Sequence, residues 1–261
     1  MFKEFDLDWK NWIHTNLSKG CSYRQIEAIL QENGFNPDAI TWELQQALEV
    51  PSPTSSEGYY QALDRLNISS AQRIKTDKAV VFTLDEFLSV QECEQLIALI
   101  EANCRPSTIT NAAEVDKKFR TSQTCDLSLQ HDTLTMEVDR RIADFLNLDL
   151  THSEGLQGQY YEVGNQFKLH TDYFQPGSNE YKVHASERGQ RTWTWMVYLN
   201  EVKAGGNTTF PHLDLSVMPK SGLALFWDNL KPNGAVNSLT AHAAEPVREG
   251  AKFVLTKWFR V

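Results

Sequence analysis

From residue 156 onward the chain alternates short apolar-rich runs with turn signals, over 156–163, 166–173, 191–199, 207–210, 214–218, 222–227, 238–243 and 252–260. A period of two marks half-buried strands, and short strands at close spacing predict a sandwich or double-stranded barrel. In the last run Lys252, Val254, Thr256 and Trp258 share one face, and Phe253, Leu255, Lys257 and Phe259 the other. Upstream, Ala79–Thr83 reads as a strand and 119–127 as extended chain. Ser89 and Glu92 form a capping box ahead of a helix over 90–103, and Leu134, Val138, Ile142 and Phe145 form the core face of a helix over 131–146.

The first 50 residues carry helical periodicity instead. Trp9, Trp12, Ile13 and Leu17 make one stripe, Ile26, Ile29 and Leu30 a second, and Ile40, Leu44, Ala47 and Leu48 a third. Gly20 and Asn33-Gly34 end the first two helices, and Asn36-Pro37 starts the third. Residues 51–58, Pro-Ser-Pro-Thr-Ser-Ser-Glu-Gly, have no periodicity and read as a linker. The expected organisation is an N-terminal helical module (1–50), the linker (51–58) and one larger domain (59–261). The class is α+β with a mainly β core and packed helices.

Composition narrows the function. The chain has 261 residues and a net charge of −9, with 41% hydrophobic and 23% charged positions. That is a globular composition without the basic footprint of a nucleic-acid binder or a polybasic membrane patch. No run approaches the roughly 20 apolar residues of a membrane helix, and the acidic start, Met1–Asp8, does not read as a signal peptide. Four cysteines without a CxxC pair read as free thiols. These features together predict a cytoplasmic protein.

The candidate chemistry lies in His170-Thr171-Asp172. Residues i and i+2 of a strand point the same way, so one imidazole and one carboxylate aim at a common point. That is two-thirds of the facial triad that holds non-haem Fe(II) with open positions. A third ligand would be a later histidine: His184, His212 or His242. His184 sits among polar loop residues and reads as solvated. Ten residues after His242 comes Lys252, an inward-facing cation that is costly unless something negative meets it.

An ordered set of motifs then runs from Val80 to the C-terminus. It comprises Tyr161-x-x-Gly164-x-x-Phe167-x-x-His170-x-Asp172, Gly189-Gln-Arg191, Gly205-Gly-Asn-Thr-Thr-Phe-Pro211, Pro219-Lys-x-Gly222, His242-x-x-x-Pro246, Gly250-x-Lys252 and Thr256-Lys-Trp258. This set resembles the Fe(II)/2-oxoglutarate-dependent dioxygenases of the prolyl 4-hydroxylase type. The resemblance implies a distorted jelly-roll (double-stranded β-helix) fold. It implies His170, Asp172 and His242 as iron ligands, Lys252 as partner of the distal carboxylate of 2-oxoglutarate, and Tyr161, Thr208 and Trp258 around the co-substrate. Arg191 and Phe167 match substrate-side positions, Phe167 standing where many relatives have Tyr, and Ala244-Glu245 replaces the usual Gly-Cys. The implied cofactors are Fe(II), 2-oxoglutarate and O2, with ascorbate as a candidate reductant. The implied reaction hydroxylates a protein or peptide residue, proline first, and releases succinate and CO2. A different peptidyl residue, a small molecule, or a non-catalytic binding barrel are the alternatives. The three N-terminal helices loosely resemble ubiquitin-associated modules, which would make them a recruiting element; a helical lid on the next domain is the other reading.

Overall fold

The C-terminal alternation forms a strand, Lys252–Arg260, all nine residues of which are buried. It sits inside a sheet, with neighbours on both edges. A computed structural model describes residues 70–108, 116–146, 148–185, 188–231 and 233–260, together with scattered positions between 3 and 44. It divides into two compact units, one built on residues 1–68 and one on 69–229 with 236–260.

In the N-terminal unit, α1 spans Tyr23–Glu32. Ile13, Ile26, Leu30, Phe35, Ile40 and Leu44 form its core, with Trp9, Trp12 and Phe5 packed against it. Gly34, at φ +83°, takes the left-handed conformation after the helix. Ile29 departs from its expected stripe and is exposed. Leu17, Ala47, Leu48 and the 51–58 linker lie outside the described residues.

In the larger unit the strands are β1 (Gln72–Arg73), β2 (Val81–Leu84), β3 (Arg105–Pro106), β4 (Gln123–Asp126), β5 (Gln157–Tyr161), β6 (Phe167–His170), β7 (Arg191–Tyr198), β8 (Ala204–Gly205), β9 (Thr208–Phe210), β10 (Leu215–Val217), β11 (Ala224–Asp228), β12 (His242–Ala244), β13 (Val247–Glu249) and β14 (Lys252–Arg260). Helices α2 (Val90–Asn103), α3 (Thr133–Leu146) and α4 (Asn179–His184) complete it. An eight-stranded sheet runs β1-β2-β11-β7-β14-β5-β4-β3, and a four-stranded sheet runs β10-β9-β12-β6. Every strand pairing is antiparallel. The eight- and four-stranded antiparallel sheets make the jelly roll that the sequence resemblance implies.

The capping box forms as expected: the Ser89 backbone N–H donates to Glu92 Oε2 at 2.8 Å, and the Glu92 N–H donates to Ser89 Oγ at 3.2 Å. Helices α2 and α3 cover one face of the larger sheet. A Cβ on Gly158 of β5 would come within 2.5 Å of Ile100, so glycine is what lets α2 approach. Lys257 reaches Asp139 of α3 on this covered face. The opposite face of β14 looks toward the smaller sheet, and the pocket lies between the two sheets.

Three expectations need correction. The run 166–173 is a strand only to His170, and Asp172 sits in the bend that follows. The segment 238–243 begins as a 3-10 turn at Ser238–Thr240, capped by the Asn237 side chain, and only His242 onward is strand. His184, read as a solvated loop residue, instead ends the helix α4 and stacks on Phe174 at 5.4 Å.

Candidate active site

His170 and His242 are directly opposed residues of β6 and β12. Their pairing brings together positions 72 residues apart, and the bend after β6 swings Asp172 to the same point. The three ligating groups lie within 4.8 Å of one another. Asp172 Oδ1 is 3.9 Å from His170 Nε2, and Asp172 Oδ2 is 3.8 Å from His242 Nε2.

The tautomers follow from the outer contacts. His170 Nδ1 lies 2.8 Å from the Lys168 carbonyl, and His242 Nδ1 lies 3.0 Å from the Thr240 carbonyl. A carbonyl can only accept, so each Nδ1 carries the hydrogen and each Nε2 turns a lone pair to the centre. Burial, and then the neighbouring His242, push the His170 imidazole down to about 3, so it is neutral at physiological pH. Burial pushes Asp172 up, but the two histidines, Arg191 and the Thr194 hydrogen bond outweigh it, and its carboxyl falls below the usual range. Two imidazoles and one carboxylate form a donor set that suits a divalent first-row metal and leaves coordination positions open.

The pocket beside this cluster has about 440 Å³ of space, including its open mouth. Lys252, Val254, Thr256 and Trp258 line one wall, as their shared face on β14 dictates. Lys252 is 1% exposed, and its Nζ donates to Thr208 Oγ1 at 3.5 Å. Tyr161 and Tyr198 present their rings to it at 5.2 and 5.4 Å. Among the described residues no carboxylate meets this ammonium, and burial drives it down to about 7. The Tyr161 hydroxyl also lines the pocket and donates to Gln159 Oε1 at 2.8 Å. Thr208 is buried in the lining, whereas its neighbour Thr209 is not part of it.

The opposite wall is aromatic. Phe167 lies flat on the His170 ring, centroids 3.5 Å apart and planes 15° apart. The Arg120 guanidinium sits 4.9 Å above the other face of Phe167. Arg120 donates to Ser122, Thr124, Gln157 and the Thr108 carbonyl, all of them neutral. The Trp258 indole nitrogen, at the end of the β14 wall, is buried without a hydrogen-bond partner among the described residues.

Arg191 lies outside the lining. It makes a two-pronged pair with Glu154, at 2.5 and 2.7 Å, and stacks over Trp258 at 4.1 Å. It also reaches the Asp172 carbonyl at 3.4 Å. Arg260 shares Glu154 and donates to the carbonyls of His184 and Gly189, tying down the α4 segment. Sequence reading missed Arg120 and Glu154. The one signal for Arg120 was a cation in the otherwise uncharged extended run Phe119–Cys125.

The model of the 2OG-Fe(II) oxygenase superfamily matches residues 156–260. Probable prolyl 4-hydroxylase 8 of Arabidopsis thaliana is 33% identical over 202 residues, 69% of this chain and 68% of that protein. Prolyl 4-hydroxylase subunit alpha-1 of Mus musculus is 34% identical over 190 residues, 72% of this chain and 35% of that one. Among solved structures, the viral collagen prolyl hydroxylase of Paramecium Bursaria Chlorella virus-1, in its 2OG complex, superposes with a TM-score of 0.55 at 26% identity, covering 69% of this chain and 96% of that one.

Proposed function

The chain belongs to the prolyl 4-hydroxylase family of 2OG-Fe(II) oxygenases, and from that premise we propose that it hydroxylates a prolyl residue of a protein or peptide, with release of succinate and CO2. His170, Asp172 and His242 hold Fe(II), and Lys252, helped by Tyr161 and Thr208, receives the distal carboxylate of 2-oxoglutarate. The bound metal with 2-oxoglutarate and O2 supplies the oxidising chemistry. The protein's part is to hold, orient and shelter. Both Nδ1 atoms face backbone carbonyls, so both Nε2 atoms face the centre beside Asp172. Lys252 would fix the distal carboxylate of the co-substrate within the pocket that the three ligands also border. Phe167, Arg120 and Trp258 wall the remaining space, where the substrate residue enters. Arg191 acts on the substrate side through Trp258.

One observation carries this reading: a buried ammonium with no carboxylate in contact with it among the described residues lines the same pocket as a three-ligand cluster. A dianionic co-substrate supplies the missing charge. Conversion of 2-oxoglutarate to succinate with a proline-rich peptide, with and without ascorbate, tests it. Turnover is expected in the wild type and lost in His170→Ala; equal turnover in both overturns the reading.

The unit built on residues 69–229 with 236–260 carries the catalytic site, and residues 1–50 serve as a recruiting module. Among the described residues no helix is long and apolar enough to cross a membrane. The four cysteines are free, which supports a reducing, cytoplasmic setting.

A further inference from the structure

Behind the triad lies a chain of buried polar groups. The Trp227 indole Nε1 donates to Asn229 Oδ1 at 3.1 Å. Asn229 Nδ2 donates to Thr194 Oγ1 at 2.9 Å. The Thr194 hydroxyl donates to Asp172 Oδ2 at 2.8 Å. Thr194 and Asn229 are fully buried, and Trp227 is 1% exposed. The backbone holds each member: Thr194 is mid-strand in β7, opposite Trp227 of β11 and Trp258 of β14. The Asn229 N–H donates to the Thr192 carbonyl at 2.7 Å, and the Asn229 carbonyl accepts from Asn237 at 2.8 Å.

The direction of this chain is forced. An indole N–H can only donate, so the Asn229 amide must turn its oxygen to Trp227 and its nitrogen to Thr194. Thr194 then receives a hydrogen on its oxygen and has its own left to give. The remaining neighbour, Asp172 Oδ2, lies 2.8 Å away and accepts it. The polarity set at Trp227 therefore ends as a hydrogen bond on one named oxygen of the carboxylate.

We infer that Thr194, oriented by Asn229 and Trp227, is a positioning residue that engages Asp172 Oδ2, takes one of its lone pairs and so favours Oδ1 as the oxygen offered to the metal. This rests on the metal reading above. A carboxylate that binds through one oxygen leaves three positions of an octahedral site for exogenous ligands. One that chelates through both occupies one of them. The relay thus protects the space that co-substrate and O2 require, from residues that touch neither.

The test uses the full chain with Mn(II), which is stable in air, and calorimetry for metal and then for 2-oxoglutarate on the metal-saturated protein. Thr194→Val keeps the shape and removes the donor. It is expected to weaken Mn(II) binding about 10–100-fold and, at saturating metal, to weaken 2-oxoglutarate as well. Thr194→Ser restores both. Asn229→Ala weakens them less, and adds nothing in the Thr194→Val background, because both act through one hydrogen bond. Should Thr194→Val not fold, Thr194→Ala carries the same arm. Wild-type affinities in Thr194→Val, no rescue by Ser, or additive losses overturn the relay alone. A wild-type protein that takes up no Mn(II), while His170→Ala behaves identically, overturns the metal reading beneath it.

Discussion

Lys252 and Tyr161 are opposed residues in the β14–β5 ladder, and the ammonium sits 5.2 Å from the centre of the tyrosine ring. Both are almost fully buried. The geometry is one of a cation held in an aromatic and hydroxyl cage, with no carboxylate in contact with it among the described residues. Such a group costs stability until a ligand arrives. Lys252→Met should therefore raise the melting temperature of the ligand-free protein while weakening 2-oxoglutarate binding by roughly 2–5 kcal/mol, 30-fold or more. Thermal unfolding with and without 2-oxoglutarate reads both. A variant that melts lower, or still binds the co-substrate, contradicts the assignment.

The same burial sets a pH dependence. With the free ammonium at about 7, well below its ordinary 10.5, Lys252 is largely neutral in the ligand-free protein at pH 8. Binding a dianion restores the charge, so it takes up a proton. Affinity for 2-oxoglutarate should fall about tenfold per pH unit above 7. Calorimetry in buffers of different ionisation enthalpy should show uptake approaching one proton by pH 8.5. Between pH 7 and 10.5 the unfolded chain holds a proton that the folded one does not, so this residue's contribution to stability rises with pH across that window. An affinity flat to pH 9 would remove Lys252 from the co-substrate end.

Glu154 is the carboxylate that Arg191 and Arg260 share. Burial pushes its carboxyl up, but the two guanidinium groups outweigh it and hold it below its ordinary value. The stability it contributes is present above the unfolded value near 4.5 and is lost as pH falls. Glu154→Gln leaves two partly buried cations facing each other and should cost about 3–5 kcal/mol. It should also flatten the acid limb of the stability profile. Because Arg191 stacks on Trp258, the variant should raise KM for the peptide more than KM for 2-oxoglutarate.

Much of this arrangement was legible in the chain, for reasons that differ by element. Period-two alternation placed β14 and sorted Lys252 to the pocket and Lys257 to the helices, because a strand's faces are set by its own backbone. The His170-x-Asp172 spacing pointed to the site, but the strand geometry invoked for it fails at Thr171; the β6–β12 pairing and a bend make the convergence. Helix α4 was invisible because Asn179–His184 has no apolar stripe. Its Ser178 cap and the Arg260 contact with the His184 carbonyl hold it. Glu154 and Arg120 were unreadable for a related reason: their meaning lies in partners 37 to 106 residues distant for Glu154, and as far as Gln157 for Arg120.

The stack of Arg120, Phe167 and His170 makes the final prediction. Phe167 lies between a guanidinium at 4.9 Å and an imidazole at 3.5 Å. It therefore orients a metal ligand with one face and holds a cation with the other. Cation–π contacts contribute about 0.5–1 kcal/mol in partly exposed settings, and aromatic stacking about 0.5–1.5 kcal/mol. Phe167→Leu keeps the hydrophobic volume against the core and loses both. Mn(II) affinity should fall several-fold as the His170 ring gains freedom, with no change in the 2-oxoglutarate end at saturating metal. Pairing it with Arg120→Met isolates the outer contact. The two should couple by about 0.5–1 kcal/mol in thermal unfolding, while Arg120→Met alone leaves Mn(II) affinity near wild type, because Phe167 still covers His170. If Arg120→Met weakened the metal as much as Phe167→Leu does, the guanidinium rather than the ring would be what orients His170.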